Sequence, residues 1–395
     1  MRHFSFSDHI LYNRKFVTWL WFGLSFIAVV LEYSRSTGNN FLIFKGVFEH
    51  TIHQQNLYLE YPAEYADVNL YGPIFSLVIA PFALLPVWAG VVLWVMFNAS
   101  LLYTAICTLP IQKKLQTAVL FFASVEMMTT AEWMQSNAMT CSCILFGFIF
   151  VHRKKEIWAL FFIMLATFIK LYGIVGCCFF LFSRNKWKFI GWGIVWSVLF
   201  FVLPMLISTK SFIIQSYADW YHRLQLKDIK NTRLDIQNDF QDISVMGMIR
   251  RIFHVNTFKN IYVTIPAILL FASQLTAFRY YKDLRYQLYL LCSVLITLII
   301  FTTSSESPTY IIAFPGVCIW YVLQPPSKQV TVFFIFALLL TSFSYSDIFT
   351  PYLRDHITRP YSLKALPCFA MWLVLLWQMH RKQFLKIDPA KLQPA

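Results

Sequence analysis

Charged residues and glycine are both scarce in this chain. Only 13% of the 395 residues are charged and 12 are glycine, whereas 58% are apolar or aromatic. A soluble domain carries about 25% charged residues, so the composition excludes an ordinary soluble protein. The apolar stretches run for about 20 residues without the two-residue alternation of a barrel strand. The sequence therefore predicts an all-α polytopic membrane protein.

Sequence signals of several soluble enzymes and of metal sites are also missing. There is no phosphate-binding glycine loop, no nucleophile elbow and no zinc-protease helix. The eight cysteines fall inside or at the edges of apolar stretches, which favours small packing groups over disulfides or zinc ligands. We therefore expect no metal and no cofactor, and any sugar donor should be linked to a lipid rather than to a nucleotide.

Basic residues outnumber acidic ones, and the formal net charge is +14. Most of them lie in short clusters between apolar stretches, which is the positive-inside pattern, so the charge needs no nucleic-acid partner. The pattern predicts a multi-pass protein with both termini in the cytoplasm, and we expect it in the plasma (inner) membrane. The clusters are Arg14-Lys15, Lys113-Lys114, Arg153-Lys154-Lys155, Arg184 with Lys186 and Lys188, Arg279 with Lys282 and Arg285, and Arg381-Lys382.

The order of apolar and polar stretches predicts one membrane domain over residues 1–395, with about 12 membrane helices. Two long external loops are expected at 34–71 and 208–256. A short apolar helix at 72–85, bounded by prolines, is expected to be interfacial or re-entrant. The segment 41–52 has apolar residues at helical spacing and is expected to lie flat on the membrane.

The apolar run from Ile157 to Phe182 has basic clusters at both ends, although one straight helix cannot have both ends inside. Either two half-spanning helices meet near Lys170, or one cluster is external. We favour the first, which places Lys170 near the external surface. A lysine inside an apolar run is costly unless it is paired or hydrated, and it would suit a phosphate group there. The alternative is that it snorkels to the interface from a helix end.

Polar residues of the external side could together form a sugar-transfer site. Glu49, Glu64 and Asp67 stand among tyrosines, where rings stack on sugars and a carboxylate can accept a proton; ordinary solvated charge is the alternative. Arg250 matches phosphate oxygens, although a solvated flank is equally consistent. Further residues, several of them in polar turns such as the one from Glu132 to Asn137, could bond sugar hydroxyls or simply form turns. They are Asn40, Gln135, Asn137, Asn238, Ser244, Ser307 and Tyr310.

Several short motifs follow one another in a recognisable order. They are Tyr71-Gly72-Pro73-Ile74-Phe75, Gln135-Ser136-Asn137, Phe168-Ile169-Lys170, Asn238 with Ser244-Val245-Met246-Gly247, and Ser307-Pro308-Thr309-Tyr310. Each motif is weak alone. In their order and spacing, residues 10–380 resemble glycosyltransferase family 87.

The resemblance implies a GT-C-like bundle that transfers a mannose-like hexose from a polyprenyl-phosphate donor to a glycan or glycolipid acceptor on the external face. It also implies inversion at the anomeric centre and an acidic base in the first external loop. Asn39 and Asn40 occupy the matching place, and asparagine cannot take up a proton at neutral pH. Either Glu64, Asp67 or Glu49 has taken the role, or the alignment is displaced there, or this copy is not an active transferase.

Two other functions stay open on the sequence. A transporter or flippase for a lipid-linked saccharide should carry intramembrane charges along a path and inverted repeats, and Lys170 is one such charge while no repeat is evident. A non-catalytic membrane protein of envelope assembly would be consistent with Asn39 and Asn40.

Overall fold

The structure, a computed structural model, describes residues 10–36, 38–232, 241–255, 258–345 and 350–393. Within these ranges the chain is helical, and its only β-pairing is an isolated bridge between Ile111 and Leu392. The predicted all-α class is therefore confirmed for the described part of the chain.

Helices follow one another along the whole described chain. The first part contains α1 (Arg14–Ser36), α2 (Asn39–His53), α3 (Phe75–Ala83), α4 (Val87–Cys107), α5 (Lys113–Glu132), α6 (Asn137–His152), α7 (Glu156–Ile169), a 3-10 helix (Leu171–Phe182), α8 (Lys186–Val202), a 3-10 turn (Leu203–Leu206) and α9 (Lys210–Asn231). The second part contains α10 (Val245–Phe253), α11 (Ile261–Gln274), α12 (Leu284–Ile300), α13 (Tyr310–Leu323), α14 (Lys328–Ala337), α15 (Pro351–Leu353) and α16 (Ala365–His380). Short 3-10 helices cover Phe278–Tyr280, Ser307–Thr309, Gln383–Lys386 and Pro389–Lys391, and π-helical turns cover Leu338–Phe343 and Arg354–Thr358.

The chain divides into two compact units. Unit 1 consists of Met1–Leu20, Leu109–Thr129 and Asp228–Ala395, and unit 2 consists of Trp21–Thr108 and Thr130–Lys227. The single membrane domain and the two external loops remain predictions.

Within the described ranges, three helical segments are long and apolar enough to cross a membrane: α1, α4 and Lys186–Leu206. Eight shorter apolar helices of 10–17 residues accompany them. In the span that begins with α8, only 17% of the most apolar window is buried in the protein. An apolar surface of that extent needs lipid around it, which supports a membrane protein. The predicted number of about 12 membrane helices stays a prediction.

The segment predicted to lie flat on the membrane is helical, as α2, but its apolar face is covered by protein. The Phe44 ring lies 4.9 Å from that of Tyr71, 5.0 Å from that of Phe75 and 6.0 Å from that of Trp94. Phe41 is fully buried. The expectation of a helix lying flat on lipid is therefore wrong, because aromatic residues of α3 and α4 take up the apolar face.

The predicted break at Lys170 is confirmed. Helix α7 ends at Ile169, and Lys170 is extended, with φ −152° and ψ 103°. The following 3-10 helix folds back along α7, and the two segments lie very close together. A Cβ on Gly173 would come within 2.6 Å of the Ala166 carbonyl carbon, and one on Gly176 within 2.8 Å of Ile163.

The predicted second long loop is largely helical. Helix α9 alone has 22 residues, and α10 follows the undescribed stretch. The high polarity of α9 indicates a loop when it is judged by hydropathy, but Gln215 and Asp219 bond across one turn at 2.8 Å, which is helical spacing. Asn238 lies outside the described residues.

Candidate functional site

Three predicted site residues meet in unit 2 at the break after α7. The ammonium group of Lys170 donates to Oδ1 of Asn137 at 3.1 Å, and the Asn137 amide donates to the side-chain oxygen of Gln135. The same ammonium lies 4.8 Å from the ring centre of Tyr172 and 5.8 Å from that of Tyr71. Lys170 is half-buried. The group therefore combines one cation, two amides and two aromatic rings.

Gly72, in the motif Tyr71-Gly72-Pro73-Ile74-Phe75, contacts the chain directly before this break. Its N–H donates to the carbonyl of Ile169 at 3.0 Å, one residue before Lys170. A Cβ at this position would collide with the carbonyl oxygen of Phe168, so the close approach requires glycine. The Tyr58 hydroxyl donates to the Tyr71 carbonyl at 3.0 Å. Together these bonds hold the Tyr71 ring beside the lysine.

The short turn between α5 and α6 carries Gln135 and is fixed from several sides. Asn40 donates to the carbonyl of Trp133 at 2.8 Å, and the Trp94 indole donates to the carbonyl of Met134 at 2.9 Å. The Asn98 side chain accepts from the N–H of Met139 at 3.2 Å. Asn40 therefore positions the turn that carries the Lys170 partners.

Asn39 has a comparable role in the first loop. Its amide nitrogen donates to the Ala66 carbonyl and its oxygen accepts from the Ala66 N–H, both at 2.8 Å. A carboxylate could make only the second bond, because it has no donor. Asparagine at this position thus has a structural reason.

A cavity of about 290 Å³ opens beside these two asparagines. Its lining includes Glu32 and Glu132 together with Asn39 and Asn40. Glu132 is the last residue of α5, directly before the turn that carries Gln135. The sequence predicts this polar turn but does not single out Glu132 as a base; its position at the start of the turn was the available signal.

The three predicted bases occupy different surroundings in the same unit. Glu64 bonds through Oε2 to Nε2 of the buried His50 at 3.0 Å. Glu49 forms a 3.6 Å ion pair with Lys45, one helical turn away. Asp67 is exposed, in the left-handed region at φ 74°. Glu64 is thus the one whose partner is a titratable ring.

A tyrosine next to Glu64 completes that small cluster. The ring of Tyr61 lies 4.1 Å from that of His50, centre to centre. Burial raises the pKa of the Tyr61 hydroxyl, and the negative charge of Glu64 raises it further. The hydroxyl is therefore neutral over the physiological range, where it donates to the Asn56 carbonyl at 2.8 Å.

Arg250 and Ser244 belong to unit 1 and stabilise the start of α10. The Arg250 guanidinium is 1% exposed, pairs with Asp242 and donates to Oδ1 of Asn260 at 2.6 Å. The Ser244 hydroxyl accepts from the Gly247 N–H at 3.1 Å and donates to Asp242 at 2.6 Å. The Arg250 guanidinium therefore bonds to Asp242 and Asn260 within the protein, and the predicted contact with a donor phosphate stays a prediction.

Ser307 and Tyr310 lie in unit 1 at a buried ion pair that sequence analysis missed. The ammonium of Lys364 lies 3.0 and 3.2 Å from the two carboxylate oxygens of Glu126, and neither residue is exposed. The ammonium also donates to the Ser307 hydroxyl at 3.0 Å and lies 5.1 Å from the ring centre of Tyr310. An acid inside the apolar run of α5 was a signal available in the sequence, since intramembrane charges are costly without a partner.

Cysteines and possible metal ligands do not add a further centre in the described ranges. The eight cysteines are free thiols, and five of them are buried. Among the described residues, no three His, Cys, Asp or Glu side chains are grouped as a metal site would require.

The sequence matches one known protein family. The sequence model described as "Glycosyltransferase family 87" matches residues 69–303, which is more than half of the 395 residues. The matched range contains Tyr71, the Gln135 turn and Lys170. The searches among curated proteins and among solved structures gave no match. The chain belongs to glycosyltransferase family 87, and it is a membrane glycosyltransferase.

Proposed function

We propose that the protein transfers a hexose, such as mannose, from a polyprenyl-phosphate donor to a glycan or glycolipid acceptor on the external face of the plasma membrane. The observation that supports this most is the cluster of Lys170, Asn137 and Gln135 with the rings of Tyr71 and Tyr172. An ammonium suits a phosphate, amides suit sugar hydroxyls and rings stack on sugar faces.

A lipid-linked donor is consistent with where this lysine stands. Lys170 is half-buried at the break between two apolar helical segments, α7 and Leu171–Phe182. A phosphate at the head of a polyprenyl chain could reach the ammonium while its hydrocarbon stays in the bilayer. The sequence also lacks a glycine-rich loop of the kind that holds nucleotide phosphates.

The reaction can be written without a metal. The acceptor hydroxyl oxygen attacks C1 of the sugar from the side opposite the phosphate, so that the new C1–O bond has inverted configuration. The bond between C1 and the phosphate oxygen breaks, and its electron pair stays on the phosphate. The Lys170 ammonium stabilises that charge, and a carboxylate accepts the hydroxyl proton.

Four carboxylates are candidates for the base. Glu64, Asp67 and Glu49 come from the first-loop pattern. Glu132 comes from the cavity at Asn39 and Asn40, the place where the family resemblance expects an acid. Glu132 also adjoins the turn whose Gln135 and Asn137 lead to Lys170, which favours it on geometry.

The test is sugar transfer by the purified full-length protein in lipid nanodiscs. Radiolabelled polyprenyl-phosphate mannose is the donor, membrane glycolipids are the acceptors, and product is separated by thin-layer chromatography. We expect Lys170→Ala to lower kcat by about 100-fold, because it removes the charge on the leaving phosphate, and Lys170→Arg to keep part of the rate. Lys188→Ala, at an exposed lysine of α8, is the matched control and should transfer normally.

Glu132→Gln, Glu64→Gln, Asp67→Asn and Glu49→Gln separate the four bases in the same assay. The base variant should lose about 10²- to 10⁴-fold in rate while donor binding is kept. Normal transfer by Lys170→Ala would contradict the phosphate role. If the wild-type protein moved the donor from one leaflet of a vesicle membrane to the other without covalent sugar transfer, it would instead be a flippase.

A further inference from the structure

A cavity of about 360 Å³ in unit 1 combines basic, aromatic and amide side chains. It lies where α11 and α16 end, and the function proposed above does not use it. Its wall includes Gln274, Phe278, Arg279, Tyr280, His380 and Lys382.

Gln274 is the unusual member of this wall. The residue is 2% exposed, and within the described residues neither its side-chain amide nitrogen nor its side-chain amide oxygen has a hydrogen-bond partner. Its backbone carbonyl accepts from the Tyr286 hydroxyl at 2.9 Å, so only the side chain is unpaired. Buried amides are nearly always bonded, because an unpaired one is costly. A ligand in the cavity that both accepts and donates would satisfy it.

The cationic side chains of the cavity are not needed to cap α16. The backbone N–H groups of Arg381 and Lys382 already donate to carbonyls of the last turn at 3.0 and 3.1 Å, and the His380 ring bonds a third carbonyl at 2.7 Å. Arg279 and Lys382 are exposed, and the Lys382 ammonium lies 5.9 Å from the ring centre of Tyr280. Two cations therefore face a common space that suits an anion.

The surface that leads to the cavity is apolar. Ile265, Ile268 and Leu269 on α11 are exposed, and so are Phe278 and Trp377 at the cavity end. Such a surface on a membrane protein is in contact with acyl chains. Basic pockets between membrane helices are typical sites for anionic lipid headgroups.

We propose that this cavity binds a phosphate ester that carries hydroxyl groups. The phosphate oxygens accept from Arg279, Lys382 and the Gln274 amide nitrogen, and a hydroxyl donates to the Gln274 oxygen. A phosphatidylglycerol headgroup and free glycerol phosphate share this chemistry. The apolar approach along α11 favours the lipid.

The test is lipid titration of the detergent-purified full-length protein, with bound lipid counted by native mass spectrometry. The probes are dioleoyl phosphatidylglycerol, dioleoyl phosphatidylcholine and, as a competitor, glycerol 3-phosphate. We expect Arg279→Gln with Lys382→Gln to weaken phosphatidylglycerol binding by roughly 10- to 30-fold, and Arg381→Gln, the neighbouring arginine, to leave it unchanged. Displacement by glycerol 3-phosphate would assign the site to the free ester; lack of displacement would assign it to the lipid.

Gln274→Leu gives a readout that a merely structural role would not produce. It should raise the Tm of the lipid-free protein, because it removes an unpaired amide, and abolish the Tm increase caused by phosphatidylglycerol. Equal binding of both lipids, or unchanged phosphatidylglycerol binding in the double variant, would overturn the proposal. A lower Tm for lipid-free Gln274→Leu would also overturn it, because the amide would then have a partner in the protein.

Discussion

The ion pair between Lys364 and Glu126 shows how much one contact can matter when both partners are fully buried. Each charge has lost its water, and the favourable interactions come from the partner, the Ser307 hydroxyl and the Tyr310 ring. Replacing one partner leaves the other charge buried without a counter-charge, whereas replacing both leaves two uncharged side chains. The losses of stability caused by the two single substitutions should therefore not add in the double variant.

We expect Lys364→Met or Glu126→Gln alone to destabilise the protein by about 3–5 kcal/mol, and the double variant to recover most of that loss. Thermal unfolding of the detergent-purified protein, followed by fluorescence-detected gel filtration, measures this. Lys328→Met removes an exposed lysine and serves as control. A double variant that is as unstable as the sum of the single ones would contradict a coupled pair.

The sequence shows which charged residues interrupt apolar runs, but it does not show which residues pair with them. Lys170 could be singled out because it interrupts an apolar run, and its contact with Asn137 agrees with the predicted grouping. The partner of Glu126 is 238 positions away, and no local pattern links the two. The role of Asn39 was equally hidden, since its two bonds to Ala66 depend on how the loop folds back.

At the scale of elements, the hairpin formed by α7 and the 3-10 helix Leu171–Phe182 controls where Lys170 stands. The two segments pack closely because Gly173 lies against the backbone of Ala166 and Thr167. A methyl group there must push the segments apart. The extended residue between them, Lys170, would move as well.

We expect Gly173→Ala to destabilise the protein by about 1–3 kcal/mol and to lower transfer by at least about tenfold, because small displacements of a binding group are costly in rate. Thermal unfolding and the mannose-transfer assay measure the two effects. Gly191→Ala on α8 is the control, since a Cβ there has no neighbour within 4 Å. Normal activity and stability of Gly173→Ala would mean that the hairpin does not depend on this close packing.

Elements were predictable where hydropathy and charge agreed. The break at Lys170 followed from the basic clusters on both sides of the apolar run that it interrupts. The 3-10 form of Leu171–Phe182 was not predictable, because it results from packing against α7. Helix α9 was missed because its polar sequence resembles a loop, and the buried face of α2 depends on rings from α3 and α4.

At the scale of the whole molecule, the composition and the apolar stretches were sufficient for the class. The division into two units was not accessible, because Leu109–Thr129 associates with Asp228–Ala395 across more than 90 positions of intervening chain. Sidedness is a further whole-molecule property, and the distribution of basic clusters is the physical argument for it.

The charge map predicts that the first loop is outside and the basic segment after α11 is inside. Thiol labelling of intact cells tests this in a background where the three half-buried cysteines, Cys107, Cys177 and Cys178, are replaced by alanine. A membrane-impermeant maleimide should label Ala63→Cys in intact cells, and Lys282→Cys only after lysis, since both positions are exposed in the structure. Each position controls for reactivity of the other. The reverse pattern would invert the topology and place the Lys170 site on the cytoplasmic face, where the donor would have to be presented from inside.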